Sequence, residues 1–212
     1  MIPLILKLKK AQHKGIAQAQ DLIIKELYNV FNEAVLHGGT SIWRCYKGNR
    51  FSEDIDVYIQ KDIKKLDELF DRFKKIGFII EKRKITENSL YSNLKFNRIS
   101  VRFEALFKRI NGALMEYENS DGNVIMVYSL TPEELIKEKV NAYLNRNKIR
   151  DLYDIFFLLK YIKDKISIKE SLSNLIKNFK APTDEKDLKI LILEGIVPKA
   201  EKMMEYIKNK NG

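Results

Sequence analysis

The apolar residues of this chain keep two different periods, and the change falls at Thr131. Before it, short runs alternate. In "DIDVYI" (54–59) Ile55, Val57 and Ile59 share one face, and Asp54, Asp56 and Tyr58 share the other. In "ISVRFEALF" (99–107) Ile99, Val101, Phe103, Ala105 and Phe107 face one way, with Arg102 and Glu104 on the opposite side. A period of two is the mark of a strand with one buried face. "AVL" (34–36), "FIIEKRKI" (78–85) and residues 90–96 read as further strands, with "NG" at 111–112 and "DG" at 121–122 as turns between short ones. Helical spacing intervenes over 16–33 (Ile16, Ala19, Ile23, Leu27, Val30, Phe31) and 62–75 (Ile63, Leu66, Leu69, Phe70, Phe73), and a short helix is expected over 40–47 with Thr40 as its N-cap.

From Thr131 onward the period is helical throughout. "TPEEL" opens the first helix, with Thr131 as N-cap, Pro132 at the first helical position and Glu134 completing a capping box. Helices are expected at about 131–146, 149–163, 167–178 and 185–208, the last interrupted near Gly195 and Pro198. The fold class that follows is α+β: a mixed α/β sheet domain flanked by helices over residues 1–129, and a helical C-terminal domain over 130–212 that packs on it.

Charge narrows the partners. Thirty-nine Lys and Arg against 29 Asp and Glu leave a net charge of +10. That balance favours a polyanion, nucleic acid or nucleotides before an anionic membrane surface, although a lysine-rich solvated surface has the same composition. Cys45 is the single cysteine, which rules out an intrachain disulfide or a thiolate cluster, and His13 and His37 are too few for most zinc sites. The apolar start "IPLILKLKK" is too short for a signal sequence, lacks a cleavage site, and reads as a strand or arm. No stretch reaches the roughly 20 apolar residues of a membrane span, so the expectation is a cytoplasmic protein.

The chemistry concentrates in "HGGTSIWRCYKGNRFSEDIDVYI" (37–59). Asp54 and Asp56 leave one face of a strand with Cα atoms about 6.5–7 Å apart. Carboxylates that close repel unless a cation lies between them, and for all-oxygen ligands the natural cation is Mg²⁺. Two such ions bridged by a shared carboxylate serve phosphoryl transfer, usually with a third carboxylate from a neighbouring strand. Glu104 is the candidate for that third ligand. A solvated strand face reading D-x-D is the plain alternative. Gly38 and Gly39 let the backbone approach a ligand closely, and a helix opening at Thr40 offers free N–H groups to phosphate oxygens, with the Thr40 and Ser41 hydroxyls as further donors. Arg50 could clamp a phosphate bidentately or be an ordinary surface arginine, and Ser52 could cap the turn into the strand.

A second cluster lies in "KEKVNAYLNRNKIRDLYDIFFLL" (137–159). Lys139 and Arg146 share one helix face, and Asp151 and Asp154 share a face of the next. Two short antiparallel helices could bring Lys139 near Asp151. Asp154 with Arg150 reads as an ordinary i,i+4 pair.

With these residues in view, "LHGGTSIWRCYKGNRFSEDIDVYI" resembles the first motif of the AbiEii/AbiGii family of nucleotidyltransferase-like toxins, roughly L-x-G-G-T-x-L, a gap, then R-x-S-x-D-[IL]-D. "SLTPEELIKEKVNAYLNRNKIRDLYDIFFLL" resembles its later block, K-x-x-A-x-x-x-R followed by R-D-x-x-D-[IL]. The resemblance spans residues 34–162. It implies a DNA polymerase β-like nucleotidyltransferase fold, Mg²⁺ (a two-metal site) on Asp54 and Asp56, and a nucleoside triphosphate as donor. Gly38, Gly39, Thr40, Arg50 and Ser52 match the nucleotide-binding stretch, and Lys139 and Asp151 match the later functional residues. Glu104 comes from strand alternation, the family showing only loosely an acidic residue there. Related toxins transfer the nucleotide to RNA, in some cases tRNA, and a toxin implies a cognate antitoxin encoded beside it. Ser41-Ile42 stands where the family often has a small apolar residue followed by Leu. Two other readings stay open: a protein-modifying, AMP-transferring enzyme, and a non-catalytic module of the same fold that binds RNA or protein.

Overall fold

The structure, a computed structural model, describes residues 3–211. Two units can be separated by their internal packing: one runs through Lys47 and resumes over Phe51–Ser129, and the other joins Gly48–Arg50 to the chain from Leu130 onward.

In the first unit the elements are α1 (Leu4–Lys7), α2 (Ala11–Val30), β1 (Val35–His37), α3 (Gly38–Cys45), β2 (Ile55–Ile59), α4 (Ile63–Lys75), β3 (Phe78–Ile85), β4 (Ser89–Phe96), β5 (Ile99–Phe107), β6 (Ala113–Glu118) and β7 (Val124–Ser129). The strands form one sheet in the order β3-β4-β5-β2-β1-β7-β6. Pairing is parallel for β2 with β5 and for β1 with β7, and antiparallel elsewhere.

The alternation on β5 does what its period requires. Val101, Phe103 and Ala105 are buried, and α4 turns Leu66, Leu69, Phe70 and Phe73 inward, the Phe73 ring standing 6.0 Å from that of Phe103. Asp62 caps α4 by accepting from the Lys65 N–H. Helix α2 lies on the same face of the sheet. A Cβ on Gly15 would sit 2.7 Å from Ile99 Cγ1, so the bare glycine lets the helix come this close. The opposite face of the central strands therefore carries their polar residues.

Some sequence expectations need correction. Helix α2 begins at Ala11 and ends at Val30, where 16–33 was expected. Of the start expected as a strand or arm, Ile2 lies outside the described residues and the rest contributes a single helical turn: α1 buries Leu4, and the Ile5 N–H donates to the Ser120 carbonyl. Helix α3 starts at Gly38 with His37 at its N-cap, so Thr40 lies inside it.

The second unit is helical: α5 (Pro132–Arg146), α6 (Ile149–Leu158), α7 (Ile166–Lys177), a 3₁₀ turn (Glu185–Asp187) running into α8 (Leu188–Leu191), and α9 (Ala200–Asn211). Thr131 and Glu134 form the expected capping box. Asn147, in the left-handed region at φ 50°, ends α5. Helix α6 stops at Leu158 rather than 163, and 185–208 resolves into two short helical pieces and α9. Ile136, Val140, Leu152, Ile155, Leu175 and Ile207 are fully buried. Gly48–Arg50 is tied to this unit by a bridge between Arg50 and Ile192 and by the Leu193 N–H donating to the Asn49 carbonyl. No described helix is long and apolar enough to cross a membrane.

Candidate active site

Strand pairing assembles the carboxylates of the first unit. Antiparallel β1 sets His37 opposite Asp56, and parallel β2 and β5 set Asp56 beside Glu104. Adjacent strands lie about 4.8 Å apart, so these two side chains rise from one face as neighbours. Asp54, just before β2, forms an ion pair with Arg102, whose Nε also lies 3.0 Å from Glu104 Oε1. Burial first, and then the charge of Asp56, raise the Glu104 carboxyl above its ordinary pKa, with Arg102 opposing. Among the described residues no three His, Cys, Asp or Glu side chains are already gathered as a metal's ligand set. Arg102 instead pairs with two of the three carboxylates, Asp54 and Glu104. Three carboxylates on one face, two of them paired with an arginine, are by donor chemistry what a hard cation such as Mg²⁺ selects.

The glycine turn is bound sterically to this cluster. Gly38 has φ +71°, a region costly for residues with a Cβ, and a Cβ there would lie 3.2 Å from that of Asp56 and run into its carboxylate. The turn and Asp56 thus occupy one tight space. Gly39 follows in the first turn of α3, where N–H groups have no partner within the helix.

The hydroxyls of "GGTS" do not point to this opening. Thr40 is fully buried, its hydroxyl donating to the Asp54 carbonyl. Ser41 is fully buried and shares a hydrogen bond of 2.6 Å with Ser129 Oγ. Any phosphate donor in this stretch is therefore backbone N–H rather than hydroxyl. Ser52 is buried, and its carbonyl accepts from Gln20 Nε2 at 3.0 Å. The Thr40 bond ties α3 to the segment leading into β2, the Ser41 bond ties it to β7, and Gln20 holds that same segment to α2. Cys45 is buried, and its thiol is pushed up to about 12 by that burial, which leaves it unreactive.

In the second unit, Arg50 and Asp154 form a bidentate pair, Nε to Oδ1 at 2.7 Å and an Nη to Oδ2 at 2.8 Å. Where the sequence offers Arg50 as a phosphate clamp or a surface arginine, the structure buries it and spends its fork on a carboxylate. Asp154, expected as an i,i+4 partner of Arg150, is fully buried and pairs with Arg50 and Lys139. Lys139 Nζ lies 2.8 Å from Asp154 Oδ2 and 3.4 Å from Asp151 Oδ1, and Arg146 grips Asp151 with two bonds of 2.7 and 2.8 Å. Lys139 thus meets Asp151 as expected, with Asp154 as its closer partner. Burial alone would raise the Asp154 pKa, but the charges of Arg50 and Lys139 outweigh it and hold the carboxyl below its ordinary value.

Sequence reasoning left two members of these clusters, Arg102 and Asp154, out of the candidate site. Arg102 was legible as a strand neighbour two residues from Glu104. Asp154 was signalled only by its i+3 spacing from Asp151. No local signal predicted its pairing with Arg50.

The fold is that of a nucleotidyltransferase. MenT4, a nucleotidyltransferase toxin from Mycobacterium tuberculosis, superposes with a TM-score of 0.68 at 17% identity over 98% of this chain and 86% of its own. JHP933 from Helicobacter pylori superposes with a TM-score of 0.65 at 19% identity over 95% of this chain and 91% of its own. None of the curated protein sequences matches. The family model for the nucleotidyl transferase AbiEii toxin of type IV toxin–antitoxin systems matches residues 25–203. The chain belongs to that family, and its activity class is nucleotidyl transfer.

Proposed function

We propose that this toxin transfers a nucleoside monophosphate from a nucleoside triphosphate to an RNA acceptor in the cytoplasm. The observation that carries the reading is the Asp56–Glu104 pair on adjacent strands, with the Gly38 turn pressed against Asp56. Asp54, Asp56 and Glu104 are the residues that would hold Mg²⁺, one ion or two, which when bound withdraws charge from the α-phosphate. The first-turn N–H groups of α3 at Gly39 and Thr40 bind phosphate oxygens. The acceptor hydroxyl oxygen attacks the α-phosphorus, a P–O bond forms, the α–β bridge breaks, and pyrophosphate leaves with that electron pair. The hydroxyl proton passes to Glu104 or Asp56. From the motif, Lys139 is a further functional residue; Asp151 and Asp154 hold its ammonium in place, and Arg50 positions Asp154. The net charge of +10 supports a nucleic-acid acceptor. A cognate antitoxin is the expected protein partner.

The test is label transfer. Each α-³²P triphosphate is supplied in turn with Mg²⁺, total RNA and total protein, using the Asp54→Ala/Asp56→Ala double variant as control. Mg²⁺-dependent label on RNA that the double variant abolishes is the expected result. Label on a polypeptide, or label that survives in the double variant, overturns the reading.

A further inference from the structure

Register carries the polar face of the sheet outward from the carboxylates in a straight row. Asp56 pairs with Glu104, Glu104 with Tyr91, and Tyr91 with Lys84, across β2, β5, β4 and β3. One pleat along, Arg102 pairs with Asn93 and Asn93 with Lys82. On the other side of the row, Leu106 is 43% exposed and pairs with Tyr58. At about 4.8 Å per strand, Tyr91 stands about 10 Å and Lys84 about 14 Å from Asp56.

The charges on this face are not equivalent. Lys95 is matched by Glu81 at 3.4 Å, and Arg102 by Asp54 and Glu104. Lys82 and Lys84 are exposed and have no carboxylate partner among the described residues. The Lys82 ammonium sits 4.9 Å from the centre of the Tyr91 ring. An aromatic ring with an exposed leucine diagonal to it and two unmatched lysines beside it, in register with a carboxylate pair, is the pattern that accepts a stacked base and its phosphates.

We infer that this face, resting on the transferase reading above, is the acceptor track. A single-stranded RNA 3′ end lies across it with a base stacked on Tyr91 against Leu106. Lys82 and Lys84 hold the preceding phosphates, and the terminal hydroxyl reaches Asp56 and Glu104. Stacking and phosphate contacts read no base edge, so the track accepts unpaired ends with little sequence preference. A paired end cannot enter, because its bases are already stacked.

The test is fluorescence anisotropy of a labelled 12-nucleotide oligouridine with the full-length protein, Mg²⁺ and no triphosphate, so that no turnover is needed. Tyr91→Ala should weaken binding roughly 5- to 150-fold, the range of a lost base–aromatic stack, and Tyr91→Phe should restore it. Lys82→Gln/Lys84→Gln should flatten the slope of log affinity against log salt by about 1.4, two phosphate contacts on a single strand. Both lysines are exposed, so this variant keeps the proposal testable should Tyr91→Ala fail to fold. Oligouridine binding that is absent, insensitive to both sets of variants, or matched by a 12-base-pair RNA duplex overturns the track. Triphosphate binding by the Asp54→Ala/Asp56→Ala variant, read separately, reports on the donor site. Its persistence sinks the transferase reading, whereas a loss of oligouridine binding in the Tyr91 and lysine variants is specific to the track.

Discussion

At the residue scale, the tightest constraint is Gly38. Its backbone lies in the left-handed region, and the Asp56 carboxylate fills the space a Cβ would need. Gly38→Ala is expected to cost about 1–3 kcal/mol from backbone strain alone, and to displace Asp56 as well. Urea unfolding and triphosphate binding measured together check this; unchanged binding would mean that the turn does not position the carboxylate. Arg50 poses the opposite problem, a buried charge whose partner is also buried. Arg50→Ala leaves Asp154 with Lys139 alone, and the expected destabilisation is about 3–5 kcal/mol by urea unfolding. A loss under 1 kcal/mol would show that the pair is not desolvated as its burial implies.

Asp154 also sets an acid limit. Burial is outweighed by Arg50 and Lys139, so the folded-state pKa lies below the ordinary 3.8. The stability this provides is complete at neutral pH and is lost as the pH falls below about 4 toward the folded-state value. Melting temperatures taken from pH 7 to pH 3 should fall in the wild type and fall less steeply in Asp154→Asn, which is less stable at pH 7 but has no carboxyl to protonate. Parallel slopes in the two proteins would assign the acid sensitivity elsewhere.

At the element scale, helix ends and strand faces were the most readable features. Thr131 and Glu134 satisfy each other's orphan N–H groups at the start of α5, a bond pattern local enough to be written in four residues. Thr131→Ala should cost about 1 kcal/mol in urea unfolding, with Thr131→Ser close to wild type. A neutral alanine variant would mean that Pro132 and the packing of α5 fix the helix start unaided. Strand β5 matched its alternation residue for residue because one face is buried under α2 and α4, and a shift of one residue would expose Phe103. Helix α3 did not follow its local signal. Thr40 is a good N-cap by propensity, yet the chain begins the helix two residues earlier, at Gly38, and turns Thr40 inward to the Asp54 carbonyl. A tertiary hydrogen bond between segments outweighed the local cap.

At the scale of the whole molecule, the net charge of +10 predicts binding to RNA that weakens steeply with salt. Association with total tRNA, followed by filter binding between 50 and 300 mM salt, should lose at least tenfold in affinity. A flat response would leave the lysines as mere solvation. What the sequence determined by itself follows from periodicity. It set the change from strand to helix at Thr131, the shared face of Asp54 and Asp56, the capping box, and the two motif blocks that mark the family. Periodicity reports which side of an element is apolar, and it is written within the element. Only the tertiary structure decided which polar groups meet: Arg50 with Asp154, 104 residues apart, Arg102 with Asp54 and Glu104, and Ser41 with Ser129. Those partners depend on strand order and on where a loop returns, and no local pattern of residues specifies either. A buried charge or hydroxyl takes whichever partner the finished fold brings within hydrogen-bonding distance, because leaving it unpaired costs more than any local preference could recover.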